Sequence, residues 1–196
     1  MRIRILSDLH VDVRHVDLPQ VEADVTVLAG DVRRGKAALS WIRENFPEKP
    51  VVYVLGNHES YGGAVPKLIE DFRRLCAETN IHILENDSLI IDGVRFLGCT
   101  LWTDFCLFGD PARAGREAAM VMNDYRLIRV SPAFRRLTGK DTAGPHWRSR
   151  RWLMERLNLD TTLRTVIVTH HAPSAKSLHP EEAGELIGAA MDTPLR

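Results

Sequence analysis

Asp24-Val25-Thr26-Val27-Leu28-Ala29-Gly30-Asp31 is the stretch that decides the fold. From Val25 to Ala29 it is β-branched and apolar on both faces, the pattern of a strand buried on two sides in a parallel sheet. It stops abruptly at a glycine followed by a carboxylate. The pattern recurs on either side of it. Ile3-Arg4-Ile5-Leu6 is a short apolar strand that ends at Ser7-Asp8, and Val51-Val52-Tyr53-Val54-Leu55 is a third, ending at Gly56-Asn57-His58. A helix is expected from 34 to about 45, closed off by Pro47, and another over 64–78. In the latter, Val65, Leu68, Ile69, Phe72, Leu75 and Cys76 recur at steps of three and four, which is one face of an amphipathic helix. Strands alternating with crossing helices make this part α/β.

The second half changes character. Residues 81–84, 88–91 and 94–97 read as short strands, with Asp92-Gly93 as a tight hairpin turn between two of them. From 101 to about 145 the pattern is loop-rich, with a helix near 112–122 and, at Asn123-Asp124, a polar pair read as its stop. A further helix is expected over 146–159. A buried strand over 165–169 is then expected to end at His170-His171.

The 196 residues and 22.1 kDa suit a single domain with a real hydrophobic core. Lys and Arg number 26, and so do Asp and Glu, so bulk charge draws in neither nucleic acid nor an anionic membrane. Cys76, Cys99 and Cys106 make no disulfide framework and no C-x-x-C pair, which points to a reducing compartment. Cys99 and Cys106 are expected to be buried, unreactive thiols. MRIRILSDLH reaches a carboxylate too early for a signal peptide, and no apolar run approaches the roughly 18 residues of a membrane span. The expected location is the cytoplasm.

Four strands stop at residues of metal-ligand type: Asp8 and His10, then Asp31, then Asn57 and His58, then His170 and His171. In an open α/β sheet, ligands bind beyond the carboxyl ends of the strands, so these loops can converge. Asp8 and His10 stand at i and i+2, which in extended chain point the same way and can reach one ion. Gly30 and Gly56 permit sharp turns at two of the stops. Each piece alone has a plain structural reading as a cap, a turn or a core histidine. Their joint occurrence at the ends of apolar strands points to a metal centre.

Asp8-Leu9-His10, Gly30-Asp31, Gly56-Asn57-His58-Glu59 and Thr169-His170-His171-Ala172-Pro173 together resemble the calcineurin-like metallophosphoesterases. The resemblance runs from Met1 to about Pro180 and is nearest to a small bacterial branch with a Leu101-Trp102-Thr103-Asp104 segment. It implies a two-sheet mixed β sandwich flanked by helices. It also implies two divalent ions, the first bound by Asp8 and His10, the second by Asn57 and His170, with Asp31 bridging. His58 would be the acid that protonates the leaving oxygen, and the substrate would be a small phosphomonoester or phosphodiester. The chemistry agrees, because two ions about 3.5–4 Å apart can share a hydroxide and clamp a phosphate. Asp31 has two oxygens to share, and Asn57 offers a neutral carbonyl oxygen. Mixed imidazole and carboxylate ligation suits manganese, iron, zinc or cobalt.

The family's pattern ends in a G-H-x-H segment downstream of His170, whereas here only His179 follows His171. The chain is therefore expected to stop short of the family's last strands and to keep three protein ligands per ion, with His171 or His179 as possible stand-ins. A sheet edge left open in this way is expected to pair with another chain, giving a homo-oligomer. A rival reading is a catalytically impaired relative that persists as a metal- or phosphate-binding, oligomerising module. The arginines between Arg126 and Arg156 read as a solvated face, with phosphate contact as the alternative. Trp102, Phe105 and Phe108 read as core or lid.

Overall fold

A computed structural model describes residues 1–159, 162–177 and 189. In it the apolar strands of the first half lie side by side. β1 (Ile3–Leu6), β2 (Val25–Ala29), β3 (Val51–Val54) and β5 (Ile81–Ile83) form one parallel sheet in the order β1-β2-β3-β5. β4 (Ala64–Val65) intervenes in the chain but joins a different sheet. β2 and β3 are central because both their faces are apolar, and every residue of β3 is buried. Helices α1 (Ala37–Asn45) and α2 (Lys67–Cys76) cover one face, where Ala38, Leu39, Ile42, Leu68 and Phe72 pack on Leu28 and Tyr53.

The other face meets a second sheet. β6 (Asp87–Ile91) pairs antiparallel with β7 (Val94–Cys99), and β10 (Arg164–Thr169) pairs with β7 in parallel, in the order β10-β7-β6. Val25, Val27, Val52 and Val54 of the first sheet pack against Val94, Phe96 and Val168 of the second. Phe96 has no exposed surface, and burying a side chain of that kind contributes about 1.5–3 kcal/mol. Asp92 and Gly93 both have positive φ, 45° and 73°, and link Ile91 to its partner Val94. That is the two-residue turn whose twist matches the hairpin. The expected two-sheet mixed sandwich flanked by helices is the fold.

The remainder is α3 (Pro111–Val121), α4 (Asp124–Leu127), the short strands β8 (Arg129–Val130) and β9 (Arg135–Arg136), and α5 (Gly139–Leu157). A third, small sheet, β4-β8-β9, was not expected from the sequence. It takes Ala64 and Val65 out of the helix read over 64–78, because Val65 precedes Pro66 and a residue before proline avoids the helical region. The helix read from 146 begins instead at Gly139. Thr138 and Asp141 cap it reciprocally, and Pro145, which looked like a boundary, sits inside it. β10 is not the buried strand expected: among the described residues it lies at a sheet edge, Val168 is its one buried residue, and Ile167 is 42% exposed. Cys76 and Cys99 are buried as free thiols, but Cys106 is exposed, contrary to expectation. Arg126, Arg135, Arg136, Arg148, Arg151 and Arg156 are exposed, which fits a solvated face. No described helix is long and apolar enough to cross a membrane.

The cap of α5 makes a test of local electrostatics. Arg135 contacts both Asp141 oxygens, at 2.7 and 2.6 Å, and with Thr138 holds the carboxyl down to about 2. A depressed carboxyl stabilises the fold above its unfolded value of 3.8, and that contribution is lost as pH falls toward 2. Asp141→Asn should therefore cost about 0.5–1 kcal/mol in urea unfolding at pH 7, a modest value because the pair is solvent-screened. The gap to wild type should close between pH 4 and 2. A gap that does not change with pH would show that the charge is irrelevant.

Candidate metal centre

The loop after β1 is zipped to the loop after β2. Asp8 N donates to the Gly30 carbonyl at 3.1 Å, His10 N to Asp31 at 3.0 Å and Val11 N to Val32 at 3.0 Å. Asp8, His10 and Asp31 all lie in the left-handed region, with φ of 54°, 47° and 54°. Non-glycine residues avoid that region at a cost of about 1–3 kcal/mol each, and persist there only when the surroundings over-determine them. This corrects the expectation that Asp8 and His10 converge because extended chain alternates. Neither is extended. The turn brings His10 Nε2 to 4.0 Å from Asp8 Oδ1 and to 3.7 Å from Asp31 Oδ2.

Asp31 sits at the centre. Its Oδ2 faces His10, while its Oδ1 lies 3.5 Å from His170 Nε2 and accepts from His58 N at 2.8 Å. Two groups of side chains share it: Asp8, Asp31 and His170, and His10, Asp31 and His58, each with ligand atoms within 4.8 Å of one another. Burial pushes the Asp31 carboxyl up to about 6, with His170 opposing the rise and Glu59 adding to it.

Asn57 and His170 meet on the far side. His170 donates from Nδ1 to the Ala29 carbonyl at 2.9 Å, and its Nε2 lies 2.8 Å from Asn57 Oδ1. That contact, with Asp31 alongside, makes a donor set that fits a divalent ion with mixed nitrogen and oxygen preference. Glycines make room for it. Gly30 has φ +90°, and a Cβ there would fall 2.3 Å from His170 Nδ1. A Cβ on Gly56 would fall 2.1 Å from Asp31 Oδ1 and 2.8 Å from His170 Cε1, so Gly56 serves to leave space rather than to supply a left-handed turn.

His58 is buried, and its Nε2 lies 3.2 Å from Asp12 Oδ1, with its ring edge-on to His10 at 4.6 Å. Arg34 Nε lies 3.3 Å from Asp12 Oδ2. Of the proposed stand-ins, His171 belongs to neither ligand group. Its Nδ1 lies 3.2 Å from the Thr100 carbonyl, its ring packs on Trp102 at 5.2 Å, and burial pushes the imidazole down to about 3. His179 lies outside the described residues. Trp102 and Phe105 are buried in a second apolar cluster, which they form with Ala114, Tyr125, Ile128 and Leu137, and Phe108 is partly exposed.

Sequence reasoning gave no role to Glu59, Asp12, Tyr61 or, beyond a helix stop, Asp124. Glu59 has no exposed surface. It accepts from Gly56 N at 2.7 Å, Val32 N at 2.6 Å, Asp31 N at 3.0 Å, Arg33 N at 3.3 Å and the Tyr53 hydroxyl at 2.7 Å. One carboxylate thus ties the loop after β2 to the loop after β3. The available signal was its place directly after Gly56-Asn57-His58. For Asp12 the signal was the continuation of D-x-H to D-x-H-x-D.

Gly56→Ala tests the geometry directly, since its methyl would occupy the place of Asp31 Oδ1. Affinity for manganese, measured by isothermal titration calorimetry, should fall about tenfold or more, as for other changes that displace a ligand. Affinity equal to wild type in a folded variant would show that this packing does not set the position of Asp31.

The family model described as calcineurin-like phosphoesterase matches residues 1–190. An uncharacterized protein of Acanthamoeba polyphaga mimivirus is 29% identical over 131 residues, which are 63% of this chain and 45% of that protein. The chain thus spans less than half the length of that curated relative. Among solved structures, phosphopantetheinyl hydrolase from Mycobacterium tuberculosis superposes with a TM-score of 0.69 at 20% identity, over 98% of this chain and 76% of the other, a likeness of fold. The chain belongs to the calcineurin-like phosphoesterase family.

Proposed function

We propose that this chain hydrolyses a small phosphomonoester or phosphodiester at the rim where β1, β2, β3 and β10 end. The observation that carries the reading is the buried Asp31 carboxylate, one oxygen turned to His10 and the other to His170. Following the family resemblance, Asp8 and His10 would hold one divalent ion and Asn57 and His170 the other, with Asp31 shared. The side-chain groups in this structure instead place Asp8 nearer His170 and His10 nearer His58, and Asp31 is common to both. Manganese, iron, zinc or cobalt suits these donors. When bound, such a pair supplies a nucleophile from water at neutral pH and neutralises charge on the phosphoryl oxygens.

The chain's own residues do the rest. Three protein donors per ion leave positions open for water and substrate. Asp12 accepts from His58 Nε2 at rest, so that nitrogen carries a proton, and it is the atom from which the leaving oxygen would be protonated. The chain's net charge is zero, so attraction of a phosphate falls to the centre itself rather than to a long-range field. The unpaired thiols support a cytoplasmic location.

Hydrolysis of chromogenic phosphodiester and phosphomonoester substrates with added manganese tests this. His58→Ala and Asp31→Ala should each lower turnover at least about a hundredfold. If wild type shows no turnover above those variants at saturating metal, the hydrolase reading fails and the metal- or phosphate-binding module takes its place.

We further propose that a second copy of the chain pairs along the outer edge of β10. No described strand lies on that side, and Ile167 is exposed there. Sedimentation velocity should show a dimer that Ile167→Lys weakens. A monomer at every concentration removes this proposal.

A further inference from the structure

Asn57 has a side chain that could be set either way round, with its carbonyl oxygen or its amide nitrogen toward His170 and Asp31. What sets it lies 67 residues further along the chain. Asn57 Nδ2 donates to Asp124 Oδ1 at 2.9 Å, and the Tyr61 hydroxyl donates to the same oxygen at 2.7 Å. Asp124 is 2% exposed and opens α4, the short helix that packs with α3 and whose Tyr125 belongs to the second apolar cluster. Asp124 therefore does more than end a helix.

An ionised carboxylate only accepts hydrogen bonds, so only the amide nitrogen of Asn57 can face it. The carbonyl oxygen must then point the other way, where it meets His170 Nε2 at 2.8 Å. Tyr61 fixes the carboxylate in turn, and its ring packs on His58 at 4.8 Å with the Arg34 guanidinium 5.6 Å from its centre. A burial this complete is costly for a carboxylate without such donors.

We infer that Asp124, held by Tyr61, is a positioning residue for the ion bound by Asn57 and His170, and that through it the segment inserted between β7 and β10 completes the metal centre. The inference rests on the ligand role proposed for Asn57. It makes one ion depend on Asp124 and leaves the ion at Asp8 and His10 independent of it.

Manganese titration by calorimetry and cobalt titration followed by visible absorption give the readout, without turnover. Asn57→Ala identifies the binding step that belongs to the second ion. Asp124→Ala should weaken that same step about 10–100-fold and leave the other within about twofold, whereas Asp124→Asn, which keeps an oxygen at the same place, should stay within about threefold of wild type. Second-ion affinity unchanged in a folded Asp124→Ala protein, or both steps weakened alike, overturns the inference while the ligand reading stands. If Asn57→Ala alters neither step, the ligand reading and the inference fall together. Should Asp124→Ala not fold, Tyr61→Phe decides: a weakened second step supports the inference, and an unchanged one overturns it.

Discussion

Five donors converge on the buried carboxylate of Glu59, and the arrangement of the centre depends on them. A buried carboxylate is costly unless its lone pairs are satisfied. Here they are satisfied by backbone amides from both sides of the site. Asp31 N, Val32 N and Arg33 N come from the loop after β2, and Gly56 N comes from the loop after β3. Those loops deliver the shared carboxylate Asp31 and the amide Asn57. Glu59 holds these loops through their backbone amides, and the spacing of the two side chains follows from it.

The strained backbone is held by the same loops. Asp8, His10 and Asp31 occupy left-handed conformations that isolated residues would leave. Hydrogen bonds between the first and second loops hold them, and Asp31 N is itself bonded to Glu59. The two glycines add a steric condition, because Gly30 and Gly56 leave the volume that His170 and Asp31 enter. The outcome is a group of potential ligand atoms a few ångströms apart, gathered around Asp31.

The strands that carry the site were legible because two-sided burial leaves a plain mark: a run of valine, isoleucine and leucine cut off by a polar residue. β2, β3 and the β6–β7 hairpin follow the sequence within a residue or two. Elements set by long-range pairing were less legible. Ala64 and Val65 read as helix until β8, more than sixty residues away, offers them a partner. Pro145 looked like the boundary of a helix that in fact starts at Gly139, behind the reciprocal cap of Thr138 and Asp141. Cys106 read as buried from residue type, although its local turn leaves it at the surface.

By itself the sequence determined the α/β alternation, the family, and the identity of Asp8, His10, Asp31, Asn57, His58 and His170 as residues at strand ends. These are properties of local pattern, carried by neighbours in the chain. Only the tertiary structure decided how those residues face one another. It put left-handed turns where extended chain was expected at Asp8 and His10, and turned His171 away toward Thr100. It also set Asp12 against His58 and Asp124 against Asn57. Such orientations come from hydrogen bonds between segments distant in sequence, whose partners become neighbours only when the sheets pack.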